Sequence, residues 1–366
     1  MQTLFLHPRD VDTTPAHLFW SAPPDEALLT SLTRFGQASP ALVALAEGRP
    51  VLVAGSRRTL ALREMRGRTL AAVAVDLAAV AAPEADVAAP QAAVAALPKA
   101  AVAALPQEAV ASLPKAAAPE ADVALPLPVR LGLAYLASNL GRPVTDAMAV
   151  AAGRYFTALG PVEDFLALAG PQLFAPADRR ALLVARWLGL PAALDGLLAS
   201  GHVPLGAAPL LAGCDPDTLA GLTPLLGAVR WSRANLDNAL TWLAEAARIA
   251  GERPAALLAR SGALDLPGRG LSPNDLAAGI LASLRRIRYP ATTTLEARFT
   301  ALSRRLLAGS RVKIRPSQGF ESDAVTVEVL VKSPAELSRA AADLAAMAAA
   351  PDLPKLLAVA RDEDPA

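Results

Sequence analysis

Residues 51–76 read VLVAGSRRTLALREMRGRTLAAVAVD, and this stretch carries five arginines among residues that are otherwise mostly apolar. VLVA has the short, β-branched character of a buried strand, Gly55 interrupts it, and Ser56 opens a helical pattern that runs to Gly67. LAAVAVD (70–76) then reads as a second strand. Arg57 and Arg58 therefore stand side by side where a strand hands over to a helix. Working outward, PDEALLTSLTRFG (24–36) is an amphipathic helix closed by Gly36. ALVAL is a strand separated from VLVAG by the turn-like EGRP, and LFLH near the start is another short strand. Residues 1–80 thus predict a compact α+β domain.

A strand–loop–helix junction presents backbone N–H groups at the helix start, and these together with the helix dipole favour an anion. A glycine there lets a ligand approach the backbone closely, and arginine guanidinium groups match phosphate oxygens. The two arginines are thus suited to grip a polyphosphate. On spacing alone they fit equally well a solvated helix face shared with Glu64.

Composition narrows the alternatives. The chain has 366 residues, enough for several domains, and is 53% hydrophobic but only 4% aromatic. Much of the apolar content is alanine, so helix-rich cores with few large side chains are expected. A formal charge of +1 gives no overall attraction to nucleic acid. A single cysteine, Cys214, excludes an intrachain disulfide framework and a thiolate metal cluster, and His7, His17 and His202 lack metal-ligand spacing. The N-terminus lacks the basic start and long apolar run of a signal peptide, and no apolar run reaches membrane-spanning length. A soluble, cytoplasmic protein without a membrane partner is expected.

Residues 81–128 form an Ala/Pro-rich, low-complexity insertion. Prolines recur at Pro90, Pro98, Pro106 and Pro114, and PEADVA occurs twice, starting at Pro83 and at Pro119. Units this short bury little and each proline interrupts a helix, so a mobile linker is expected. Residues 129–290 are helical throughout, with Gly and Pro punctuation, and predict an all-α middle domain. Residues 291–352 read helix–strand–strand–helix, with Ser333 as the cap of the last helix, a small α-β-β-α domain. Residues 353–366 are expected to be a frayed tail.

The span LLTSLTRFGQASPALVALAEGRPVLVAGSRRTLALREMRGRTLAAVAVD resembles the N-terminal domain of ParB-like proteins, in the ParB/sulfiredoxin superfamily. Gly55, Arg57, Arg58 and Ala61 stand at that family's G-x-R-R-x-x-A positions. Its second motif, E-N-x-x-R, has a counterpart in SNLGR (138–142), where Asn139 and Arg142 match and Ser138 replaces the glutamate. LVARWLGLPAALDGLLASGHVPLGAAPLL resembles the family's central helical domain, and the helix–strand–strand–helix region its C-terminal dimerisation domain. VDTTPAHLFW and RRIRYPATTTLEARF are similar to a branch of ParB-like bacterial proteins.

The resemblance implies a divergent ParB-like protein that responds to CTP with Mg2+ and acts with DNA in chromosome or plasmid partition. Gly55, Ser56, Arg57, Arg58, Asn139 and Arg142 would bind nucleotide, with Asn139 assisting the metal. A serine at 138 neither positions a metal nor activates water strongly, so at most a weak CTPase is expected. Sulfiredoxin chemistry needs a cysteine in the GSRR loop, which has none, and Ser56 has no histidine nearby in sequence to activate it. Family members read DNA with a helix-turn-helix in the middle domain. Arg179, Arg180 and Arg186 on PADRRALLVARWL are the candidates, although PQLFAP is long for the turn and acids flank them, so a solvated helix surface fits as well. DNA association is therefore expected to be weak or non-specific. The resemblance further implies a homodimer through the C-terminal domain and a ParA-type ATPase as a partner. The alternative is a degenerate ParB-like scaffold, with neither CTPase activity nor specific DNA binding.

Overall fold

The structure, a computed structural model, describes residues 3–46, 48–65, 68–79, 125–308, 310–322 and 324–361. Most of the proline-rich insertion lies outside the described residues, as does Gly67. The chain divides into two compact units, Met1–Cys214 and Asp215–Ala366. The fold is mixed α+β.

The first unit opens with β1 (Thr3–Leu6), α1 (Glu26–Phe35), β2 (Ala41–Ala46), β3 (Arg49–Ala54), α2 (Ser56–Glu64) and β4 (Leu70–Val75). The strands form one sheet in the order β1-β4-β2-β3. β2 and β3 are an antiparallel hairpin turning at Gly48 (φ 76°), whereas β4 runs parallel to β2 and antiparallel to β1. A parallel neighbour requires a crossover, and α2 supplies it. Successive strand residues point to opposite faces. Ala44 and Val53 accordingly meet Leu131 on the next helix, α3 (Leu127–Ala137). α3 begins inside the span expected to be linker.

Residues 7–21 contain two short helical or bridged pieces at most, yet are held at many points. Arg63, on α2, donates to the carbonyls of Pro8 (3.0 Å) and Val11 and to Thr13 Oγ1 (2.9 Å). His17 is buried with Nε2 2.7 Å from the Leu52 carbonyl, and burial lowers its pKa, so the neutral ring donates to β3. Trp20 Nε1 donates to the Met148 carbonyl (2.7 Å) on α4 (Asp146–Thr157). Phe19 packs on the rings of Trp20, Tyr135, Tyr155 and Phe156. This aromatic cluster fastens the sheet to α3 and α4. Aromatic pairs of this kind are worth about 0.5–1.5 kcal/mol beyond their buried area.

The remainder of the first unit is helical: α5 (Val162–Leu168), α6 (Gly170–Leu173), α7 (Arg180–Leu188), α8 (Asp195–Ala199) and α9 (Ala208–Ala212). Trp187, on α7, is fully buried, Leu190 is buried and Leu183 is half-buried. Arg154 of α4 binds both carboxylate oxygens of Asp195 (2.9 and 3.0 Å) and the carbonyls of Leu188 and Leu190 (both 2.8 Å). Asp195 also accepts from Trp187 Nε1 (2.8 Å). One carboxylate thus fixes α4, α7 and α8 together.

The second unit contains α10 (Pro216–Ala228), α11 (Arg233–Ala250), α12 (Pro254–Arg260), α13 (Pro273–Arg288) and α14 (Pro290–Leu306). It continues with β5 (Lys313–Pro316), β6 (Val325–Glu328), α15 (Pro334–Ala348) and α16 (Asp352–Leu357). Ser232, Ser272 and Ser333 cap α11, α13 and α15 by accepting backbone N–H bonds at 3.1–3.2 Å. β5 and β6 pair antiparallel. Residues 353–361, part of the tail expected to fray, are instead structured. Leu356 and Val359 are buried against Phe299 and Leu302 of α14, and that apolar contact is what holds α16 in place.

Candidate functional site

At the end of β3 the chain turns through Gly55, whose φ of 98° lies in the left-handed region. A side chain there would be strained, and a Cβ would come within 3.1 Å of Ala41 Cβ and 3.3 Å of Ala41 Cα. Thr59 N donates to the Gly55 carbonyl (3.0 Å), closing the first turn of α2. The amides of Ser56, Arg57 and Arg58 are consequently left without an intrahelical acceptor.

The first turn of α2 lines a cleft of about 260 Å³ whose opposite wall is the C-terminal end of α3 and the turn after it. Gly55, Ser56, Arg57 and Arg58 come from one side, and Ser138, Asn139 and Arg142 from the other. The two motifs, far apart in sequence, therefore meet in one cavity. Trp20, Leu28 and Tyr135 supply its apolar surface. Sequence reasoning missed these three, because each reaches the cleft through a tertiary contact that no local pattern encodes.

The arginines differ in what they are free to do. Arg58 donates to the carbonyls of Ser39 and Pro40 (3.2 Å to the latter), and burial lowers its pKa, although a guanidinium stays charged. It is thereby a brace for the loop entering β2 as well as a cleft residue. Arg57 pairs with Asp25 (2.6 Å), the N-cap of α1, and not with Glu64. Its Nε is buried without a partner. Ser56 is buried, its hydroxyl accepting from Ser21 Oγ (3.0 Å), with no histidine in contact, so it is built as a structural serine.

Ser138 Oγ donates to the Tyr135 carbonyl (2.7 Å). The Asn139 amide nitrogen donates to the same carbonyl (2.8 Å) and to Ser138 Oγ (3.2 Å). That orientation leaves the Asn139 carbonyl oxygen as an acceptor for a cation. Tyr135 has its pKa raised by burial, so it offers a neutral hydroxyl. Among the described residues no cluster of three or more His, Cys, Asp or Glu side chains could hold a metal by itself. The donor set suits an anion that brings its own cation.

A larger hollow of about 520 Å³ lies beside the ends of β2 and β4 and the start of α3. Its walls are mostly alanine, valine and leucine, with Arg130 and Asp76 as the charged residues. Neither motif reaches it, so the smaller cleft is where the chemistry collects.

The arginines considered for DNA separate in the fold. Arg180 forms an ion pair with Asp146 (2.9 Å) and donates to the Val144 carbonyl (3.0 Å), tying α7 to the start of α4. It is therefore not part of an open basic face. Arg179 and Arg186 are exposed and, seven residues apart, lie on one side of the helix. Between α5 and α7 the chain includes the short α6 and Ala177 at φ 61°, and Asp178 accepts from the Arg180 amide (2.9 Å). Cys214 is half-buried, its thiol 3.6 Å from the Leu210 carbonyl. No described helix is long and apolar enough to cross a membrane.

No protein-family model matches this chain, and no curated protein matches it in sequence. Among solved structures the chain is similar to the C-terminally truncated chromosome-partitioning protein ParB from Caulobacter crescentus, complexed with CTP-gamma-S. The likeness covers 62% of this chain and 99% of that one, at 15% identity and a TM-score of 0.19. A score of that size is below that of a shared overall fold.

Proposed function

We propose that this chain is a divergent ParB-like, nucleotide-responsive protein whose cleft between α2 and the end of α3 takes CTP with Mg2+. The observation that carries this reading is the meeting of the GSRR and SNLGR segments in one cavity. Gly55 permits close approach of phosphate to backbone, Arg57 and Arg142 supply charge, and the helix start adds unpaired amides. Asn139 offers its carbonyl oxygen to a cation carried by the triphosphate. The bound ion would neutralise phosphate charge, and the chain's own residues would orient the ligand. With Ser138 where the family has glutamate, turnover at most slow follows. A preference for cytosine rests on the family resemblance alone.

DNA association through Arg179 and Arg186, a ParA-type ATPase partner and a role in partition are proposed on the same resemblance. Two exposed guanidiniums neutralise few phosphates, so such DNA binding would be weak and salt-sensitive. Homodimerisation through the C-terminal part is favoured by apolar side chains left in water: Leu330 is 80% exposed and Leu337 58%. The scaffold alternative is favoured by one observation, the engagement of Arg58 and Arg57 with protein acceptors.

Calorimetric titration with CTP and Mg2+, alongside phosphate release, separates the two. The nucleotide reading expects saturable heat from the wild type, with Ser138→Glu raising turnover at similar affinity. A folded sample that gives no heat at millimolar CTP leaves the scaffold.

A further inference from the structure

Asp25 lies against the proposed nucleotide cleft, and neither motif contains it. Its carboxylate is 2.6 Å from an Arg57 terminal nitrogen, while its other oxygen accepts from the Leu28 amide (2.9 Å) as the N-cap of α1. Leu28 itself lines the cleft. The pair is open to solvent, with 41% of the Arg57 side chain and 60% of the Asp25 side chain exposed. In this pose the Arg57 Nε is buried with no acceptor, a position that costs free energy in any guanidinium.

We infer that Asp25 is a built-in competitor in the cleft: its carboxylate stands in for a ligand phosphate on Arg57 and must be displaced by the incoming anion. This rests on the cleft being an anion site. Two features of the pose support the exchange. A solvent-exposed ion pair is weak and easily broken, so a ligand can replace it. The stranded Nε also gains an acceptor when the guanidinium swings onto a phosphate, because Nε and a terminal nitrogen form one side of the arginine fork. The consequence is a modest penalty on every anion that uses Arg57. A triphosphate, with several oxygens shared among Arg57, Arg142 and the amides of α2, carries it easily, whereas inorganic phosphate has fewer contacts with which to offset it.

The substitution that isolates this is Asp25→Asn, since asparagine caps a helix as well as aspartate and only the charge is lost. Asp25→Ser, a second capping residue, guards against an effect peculiar to the amide. Titrations of the full chain with CTP and Mg2+, and separately with inorganic phosphate, are read with thermal unfolding as the folding control. Both variants are expected to bind CTP about two- to fivefold more tightly than the wild type, the range an exposed ion pair supports. Inorganic phosphate is expected to tighten by a similar factor in both variants. Wild-type CTP binding that is unchanged or weakened in both folded variants overturns the role of Asp25 and leaves the cleft assignment standing. Absence of CTP and phosphate binding in wild type and variants alike overturns the cleft and this inference together.

Discussion

Replacing Gly55 with alanine strikes the junction from which the cleft is built. The added methyl must adopt a φ near 98°, which for a residue with a Cβ costs about 1–2 kcal/mol. It also lands 3.1 Å from Ala41 Cβ and 3.3 Å from Ala41 Cα, on a fully buried residue of β2 that the sheet holds in place. Overpacking of that kind adds about 1–3 kcal/mol. Together the loss is roughly 2–5 kcal/mol, or about 4–20 °C in the melting of a domain of 150–250 residues. Gly251→Ala is the matched control: it is also left-handed (φ 65°, ψ 26°), but nothing lies within 4 Å of the new methyl. Urea unfolding should show a loss in Gly55→Ala larger than that in Gly251→Ala by the overpacking share of about 1–3 kcal/mol. The Arg58 Nη2, 3.5 Å from the new methyl, would shift as well, so CTP affinity should fall in Gly55→Ala and not in Gly251→Ala. Equal losses in the two variants would refute the close packing of the junction on β2.

Asp195→Ala leaves the Arg154 guanidinium and the Trp187 N–H without their shared acceptor, and should cost about 2–4 kcal/mol, measured by urea unfolding; a loss under about 1 kcal/mol would mean the network is not what orders α7. His17 is held neutral with its pKa below the ordinary 6.5, so the unfolded chain takes up a proton first as pH falls. Its contribution is present above about pH 6.5 and is lost below it towards the depressed folded value. Wild-type stability should accordingly drop more between pH 7 and pH 5 than that of a folded His17→Gln variant, and parallel pH profiles would contradict the burial of a neutral ring. If the exposed Leu330 and Leu337 meet a second copy, sedimentation of the full chain should show a dimer that Leu337→Asp dissociates. A wild-type monomer at tens of micromolar would remove that interface.

What could be read from the sequence is what local chemistry decides. The handover from β3 to α2 is announced by Gly55, which the left-handed turn requires, and the α15 cap by Ser333 three residues before Glu336. The strands of the first sheet follow from short apolar runs between turn residues. Contacts between distant segments left no such mark. Arg63 looks like any helix-surface arginine, yet it gathers residues 8–13 onto α2. Arg180 looked like a partner of Arg179 and is instead paired with Asp146. Asp25 carries the signature of a helix cap and nothing of its contact with Arg57. The tail after Asp352 is expected to fray as chain ends commonly do, and nothing local in it announces that Leu356 packs on α14.

The central claim is that two separate motifs form one nucleotide site, and Arg142 tests it from the side that α2 does not supply. CTP with Mg2+ should be titrated into the wild type, Arg57→Ala, Arg142→Ala and the double variant. Each single substitution removes a charge-assisted contact of about 1.5–3 kcal/mol, so affinity should fall about tenfold or more in each. The double variant should bind with a loss different from the sum, because both guanidiniums face the same ligand. Wild-type binding that survives Arg142→Ala unchanged, or no wild-type binding at all, would contradict the account.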